Sequence, residues 1–307
     1  MKKITTVLLL LFCLFSAHSQ EQTKSEVSSD TLKHKKFEFN VMPFISYNRS
    51  LKFMFGAIPM VMYKLDSEDK VSPQSLSGIS GVYTTNGSYF VSVFNRWYYD
   101  EDRWRAKFFA VTGDYNSQFF VSDADEAAFY DYGTKLTMAS VGVQRMIVKH
   151  LYGGLTYTYA HYDTKYEDEI QPESITQTNG LELNALYDSR DEVYYPMNGT
   201  KTQIRYIAFP TWFGNDVDAN KVLTEYNRYF NVRGGKDVIA ARYFGQFGLG
   251  NIAFQQQVTI SGKDIRGYSE GKYRGDGKIA LQGEYRYNFG KKNGCSGLCR
   301  TGYHLWL

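Results

Sequence analysis

The sequence predicts an all-β protein, a transmembrane antiparallel β-barrel of the outer-membrane kind. Three observations carry that prediction. From Phe37 to Phe289 polar and apolar residues alternate with a period of 2, in segments about as long as a tilted membrane-crossing strand of ~9–11 residues. Aromatic residues make up 17% of the chain, with 26 Tyr and 21 Phe, and they gather near segment ends. The chain opens on an export-type leader and carries no later apolar run of ~18 residues, so only a closed sheet could span a membrane.

The elements follow in chain order. Lys2 and Lys3 form a basic start, Val7 to Phe15 a short apolar run, and Ala17 and Ser19 are small residues ahead of a cleavage before Gln20. Residues 1–19 therefore read as a secretory signal peptide. A membrane anchor is the alternative, but the run is too short for a bilayer core of ~30 Å. Cys13 does not read as a lipoprotein site, because Phe12 precedes it and cleavage there would split the apolar run. Residues 20–36 are rich in Ser, Lys and Glu and read as a disordered lead-in. The net charge of +3, two of it from Lys2 and Lys3, leaves no electrostatic footprint for nucleic acid.

Residues 37–289 form the barrel. The expected strands are 37–48, 52–65, 76–85, 88–99, 103–115, 134–148, 151–166, 176–190, 200–210, 221–233, 237–250 and 278–289. In the last, Ile279, Leu281, Tyr285 and Tyr287 fall on one face, and Lys278, Gln282, Glu284 and Arg286 on the other. Leu181, Leu183, Ala185 and Tyr187 likewise oppose Gly180, Glu182, Asn184 and Asp188. Alternation alone fits a soluble sandwich with its apolar face inward as well as a barrel with that face toward lipid. Three features favour the barrel. The segments exceed the ~5–6 residues usual for soluble strands. Trp97-Tyr98-Tyr99, Tyr194-Tyr195, Tyr226 and Tyr229-Phe230 sit where interface girdles belong. The body of the chain also lacks the cysteines of a disulfide-stapled secreted fold. The long connections 116–133, 211–220 and 251–277 read as surface loops.

Two stretches are more specific. The first is Tyr187-Asp188-Ser189-Arg190-Asp191 followed by Pro196 and Gly199. The second is Ile265-Arg266-Gly267-Tyr268, then Gly271-Lys272-Tyr273-Arg274 and Gly283-Glu284-Tyr285-Arg286. For Asp188, Arg190 and Asp191 the plain alternative is a solvated rim. Arg266 lies in a connection too long for a turn, and Gly267 permits close backbone approach to a wall. If the loop tucks inward, Arg266 needs an anionic partner, and Glu284 on the lumen face could take its guanidinium with two hydrogen bonds. A solvated loop with Arg266 unpaired is the other reading.

Together these motifs resemble the BamA/TamA superfamily of Gram-negative outer-membrane barrels, also called the bacterial surface antigen family. The resemblance covers about 37–289, and the opening Val41-Met42-Pro43-Phe44 to Gly56 is similar to the family's first barrel strands. It implies a strand-exit motif at Tyr187, Asp188, Arg190, Asp191, Pro196 and Gly199. It also implies a lumen-loop contact at Arg266, Gly267, Tyr268 and Glu284. The implied barrel has sixteen strands, of which about twelve are readable here. Family members that insert or export proteins carry periplasmic domains ahead of the barrel, and residues 20–36 leave no room for one. Residues 290–307, with Cys295 and Cys299, break the alternation and read as an atypical tail, the product of a frameshift or truncation.

No catalytic pattern emerges. His34, His150, His161 and His304 are scattered, Gly234-Gly235-Lys236-Asp237 reads as a turn, and no metal site or cofactor is expected. The expected role is non-enzymatic. The resemblance implies assistance in inserting or translocating polypeptide or lipid clients at the outer membrane, with outer-membrane lipid as the surroundings. A passive pore or surface-exposed structural barrel is the rival, and a barrel-embedded hydrolase the third reading.

Overall fold

A computed structural model describes residues 37–48, 51–121, 128–166, 172–216, 218–250, 252, 257–260, 273–288 and 301–305. All belong to one compact unit, Lys36–Leu307. The long strands are β1 (Phe37–Asn48), β2 (Lys52–Tyr63), β3 (Ser75–Thr84), β4 (Tyr89–Tyr99), β5 (Trp104–Val121) and β6 (Ala128–Val148). They continue as β7 (Leu151–Tyr166), β8 (Ser174–Asp188), β9 (Gly199–Phe209), β10 (Ala219–Val232) and β11 (Asp237–Gly250). Two short strands, β12 (Val258–Thr259) and β13 (Arg274–Gly275), precede β14 (Gly277–Arg286) and β15 (Thr301–Leu305). β1 to β11, β14 and β15 form a single sheet in that order, every neighbour antiparallel, while β12 and β13 pair separately.

The sheet is inside-out, as expected of a transmembrane barrel. On β8, Glu182 is 3% exposed and Asn184, Leu186 and Asp188 are buried, whereas Leu183 is 60% exposed and Leu181 and Tyr187 face outward. Ser75, Ser92, Thr134, Thr156, Lys221 and Lys278 are buried too, while Val93, Val141, Leu155, Ile204 and Leu281 are exposed. Water would penalise such an arrangement; acyl chains favour it, because they take up the apolar face and the polar one is enclosed.

Many exposed aromatics lie toward the strand ends, while Phe109, Tyr206 and Tyr226 lie further in. Tyr47, Phe53, Tyr83 and Tyr89 lie at one end of the strands, and Phe37, Tyr99, Trp104, Tyr187 and Phe230 at the end where β1 begins. From Tyr89 to Tyr99 a strand rises about 33 Å, or about 25 Å across the membrane at ~40° of tilt, which matches the apolar band of outer-membrane barrels.

Two expectations change. Residues 116–121 and 128–133 are strand and not loop: β5 and β6 stay paired out to Val121 and Ala128, and Phe120 meets Phe129 cross-strand at 5.1 Å and Phe119 meets Tyr130 at 6.2 Å, both as tilted ring pairs. β8 ends at Asp188, so Arg190 belongs to the connection that follows and not to the strand. Within residues 290–307, β15 pairs with β14. The 211–220 connection holds one turn of 3-10 helix, Thr211–Phe213.

The described parts of the 251–277 connection pack inward. Ile260 and Tyr273 pack with Ala280 and Phe244, which occupy the lumen faces of β14 and β11. The Lys278 ammonium donates to the Thr259 carbonyl at 3.1 Å. Arg274 donates to the Tyr132 hydroxyl of β6 at 3.1 Å. Residues 1–36, Arg266, Gly267, Tyr268 and Phe289 lie outside the described residues.

Candidate functional site

The strand-exit motif builds a buried charge network at the mouth where β1 begins. β8 delivers Asp188 to the lumen face at its last residue. Arg190 turns back and donates from Nε and Nη2 to the two Asp188 oxygens, at 2.7 and 2.9 Å. Arg105, at the start of β5, donates to Asp188 Oδ2 at 2.8 Å and grips Asp102 with two further bonds of 2.8 and 2.6 Å. Tyr152 of β7, 1% exposed, lies beneath the Arg105 guanidinium at 4.0 Å and donates its hydroxyl to Asp102 at 2.8 Å. The contact from β5 to β8 passes over β6 and β7, which requires the sheet to curl.

Asp102 is presented by a tight turn. Asp100, Glu101 and Asp102 all adopt left-handed backbone, with φ of 57°, 53° and 62°. Such a run persists only where surroundings hold it. Here the 64–74 connection does so: the Glu101 amide donates to Asp69 at 3.0 Å and the Asp102 amide to the Ser72 hydroxyl at 2.7 Å. Partial burial pushes the Asp69 carboxyl up, but donors from Ser72, Glu101 and Val71 outweigh it and bring its pKa to about 2.

The 189–198 segment then crosses the mouth. Gly199, at φ 107°, returns the chain to β9. A Cβ there would sit 2.3 Å from the Ser189 carbonyl and 2.6 Å from the Arg190 Cα, so only glycine fits. Asp191 accepts the amides of Met197 and Asn198 at 3.0 and 3.1 Å and closes the segment on itself. On one side Tyr194 donates to the Gln74 carbonyl ahead of β3, at 2.8 Å. On the other, Arg286 of β14 donates to the Pro196 carbonyl at 3.0 Å. Burial pushes the Tyr194 hydroxyl up, so it stays protonated as that donor. Tyr187 takes no part in the network; it points outward and meets the His150 ring edge-on at 6.2 Å.

Above the mouth the lumen wall carries a second set of charges. Glu182 of β8 accepts from Arg205 of β9 and from Asn184, the latter at 3.1 Å, and lies 3.6 Å from Lys107 of β5. Gly142 of β6 makes that last approach feasible. A Cβ there would lie 2.6 Å from the Lys107 Cε and 2.4 Å from the Thr156 hydroxyl, so the lysine stem crosses β6 where no side chain stands. Further round, Glu225 of β10 takes Lys201 of β9 at 2.9 Å and Arg242 of β11 at 3.3 Å.

The sequence pointed to Asp188, Arg190, Asp191, Pro196 and Gly199, and the structure gathers all five in or around the mouth segment. It missed Arg105, Asp102 and Tyr152. The one available signal was the close spacing of Asp102, in the 100–103 turn, and Arg105 just after it. Glu284 lies on the lumen face of β14, and its described partner is Arg286, with Nε to Oε1 at 3.0 Å. Its contact with Arg266 falls outside the described residues.

Comparison with known proteins gives a consistent picture. Residues 74–298 match the model of the Omp85 superfamily domain. The fold is similar to the crystal structure of BamA from Haemophilus ducreyi lacking POTRA domains 1–3, with a TM-score of 0.53 at 15% identity, covering 92% of this chain and 62% of that one. It is also similar to CdiB from Acinetobacter baumannii, with a TM-score of 0.53 at 15% identity, covering 83% of this chain and 47% of that one. The chain therefore spans less than two thirds of either. No curated protein sequence matches it.

Proposed function

Because this chain belongs to the Omp85 superfamily, we propose that it acts in the outer membrane by assisting the insertion or translocation of polypeptide or lipid, and not as an enzyme. Its immediate partners are outer-membrane lipid and a polypeptide or lipid client. The observation that carries this reading is the pairing of an apolar outer face with an occupied interior. The 189–198 segment lies across one mouth and the described ends of the 251–277 connection pack into the lumen. A constitutively open conduit would need neither. An insertase or gated translocator uses both, since its lumen must stay shut until a client engages.

The passive pore is the second reading, and the unbroken polar lining from Lys107 to Arg242 is what favours it. Planar-bilayer recording separates the two. Small, flickering currents support the gated reading, and a steady large conductance overturns it. Reconstitution into outer-membrane lipid vesicles with an unfolded barrel protein as client tests insertion directly. Client folding should run faster with the protein than without it, and equal rates would count against the proposal.

A further inference from the structure

Directly above the mouth segment is a cavity of about 270 Å³, lined by residues of β4, β5, β6, β8 and β9 and by Val193 of the 189–198 segment. One water occupies about 30 Å³ of liquid, so the space holds a small hydrated ion or a ligand headgroup. Its chemistry is lopsided. Arg96, Arg105, Lys107, Arg190, Lys201 and Arg205 line it, against the single carboxylate of Asp188. Both Asp188 oxygens are already taken, by Arg105 and Arg190. Glu182 is shared by Arg205 and Lys107, and Glu225 by Lys201 and Arg242. Asp188, Glu182 and Glu225 thus each serve two cations, and Asp102 adds a second carboxylate for Arg105 alone.

Arg96 is left over. Among the described residues it has no carboxylate partner, and in the β4–β5 register it stands directly opposite Lys107. Arg96 is exposed and the Lys107 side chain is 41% exposed, so water screens part of the repulsion between them, and an anion lying between them would relieve the rest. Donors remain unused as well. The buried Nε of Arg205 has no partner among the described residues. Lys107 reaches its carboxylate only at 3.6 Å. Gln203 adds an amide to the same wall.

We propose that this cavity is an oxyanion site that takes a phosphoryl group between Arg96, Lys107 and Lys201, with Arg205 and Gln203 completing the donor set. Guanidinium and ammonium groups converging from three strands suit a tetrahedral oxyanion, which accepts hydrogen bonds on every side. The same group is offered by free phosphate and by the headgroup of an anionic phospholipid. Because Val193 forms part of the cavity wall, an occupant would also touch the segment that crosses the mouth.

The test uses the full chain folded in a zwitterionic detergent. Inorganic phosphate and short-chain phosphatidylglycerol are titrated calorimetrically, each against wild type and Arg96→Gln. Binding of phosphate alone identifies a free oxyanion site, and binding of the lipid alone a headgroup site. In either case Arg96→Gln should weaken binding at least tenfold. A variant-free measurement accompanies this: the bound ligand should slow acetylation of Lys107 and Lys201 at least fivefold and leave Lys52 and Lys135 unaffected. Absence of binding by both ligands at millimolar concentration, unchanged affinity in Arg96→Gln, or uniform protection of all four lysines would overturn the proposal.

Discussion

Replacing Asp188 by Asn keeps the shape of the side chain and removes the charge shared by two guanidiniums. Arg190 then has no carboxylate among its described contacts, only the Val193 carbonyl at 2.9 Å. Arg105 keeps its two bonds to Asp102. The Asp188 side chain is 3% exposed, and those of Arg105 and Arg190 are 11% exposed, so solvent screens the loss little. Removing one member of a buried ion pair costs about 3–5 kcal/mol, and the surviving Asp102 contacts place Asp188→Asn near the lower end. About 3 kcal/mol is more than a hundredfold in the folding equilibrium. The assay is equilibrium unfolding in urea from lipid vesicles, read by tryptophan fluorescence and by the heat-sensitive mobility of the folded barrel on gels. Asp188→Asn and Arg190→Gln should couple, their double mutant being less destabilised than the sum by about 0.5–3 kcal/mol. A loss below about 0.5 kcal/mol, or strict additivity, would refute the claim that the motif is a buried network; such values belong to exposed ion pairs.

Other consequences are independent of that one. Gly142→Ala should cost about 1–3 kcal/mol, because its Cβ overlaps the Lys107 stem and the Thr156 hydroxyl, and Lys107→Ala should relieve part of the cost in the same unfolding assay. Asp69 has a folded-state pKa below its ordinary value of 3.8, so its contribution is fully present above that value and fades as pH falls toward about 2. Asp69→Asn should therefore flatten the stability profile over that window, and an unchanged profile would remove Asp69 from the account. Arg266→Ala and Glu284→Ala should each lower the temperature at which the barrel loses its folded gel mobility, with a non-additive double mutant. Additive effects would argue against a lumen contact between them.

Most strands were legible because a sheet with one face in lipid and one in an enclosed polar interior must alternate strictly, and β8 and β14 alternate almost without exception. The β5–β6 extension was hidden because Asn116, Ser117 and Gly133 look like turn residues. What carries the hairpin onward is cross-strand pairing, Phe119 with Tyr130 and Phe120 with Phe129, which appears only once the register is known. The site was half legible for the same reason. Asp188, Arg190 and Asp191 are neighbours in the chain, so a local motif exposes them. Arg105 lies 83 residues from Asp188 and meets it only because the sheet curls across two intervening strands.

Which face of the strands meets lipid decides whether this sheet is a membrane barrel. Spin labels placed singly from Leu181 to Leu186, in a chain with Cys13, Cys295 and Cys299 replaced by Ser, measure this in outer-membrane lipid vesicles. Labels at Leu181, Leu183 and Ala185 should be relaxed by oxygen and shielded from a water-soluble nickel complex, and labels at Glu182, Asn184 and Leu186 should show the opposite preference. Uniform access of the nickel complex to Leu181, Leu183 and Ala185 would contradict the inside-out sheet.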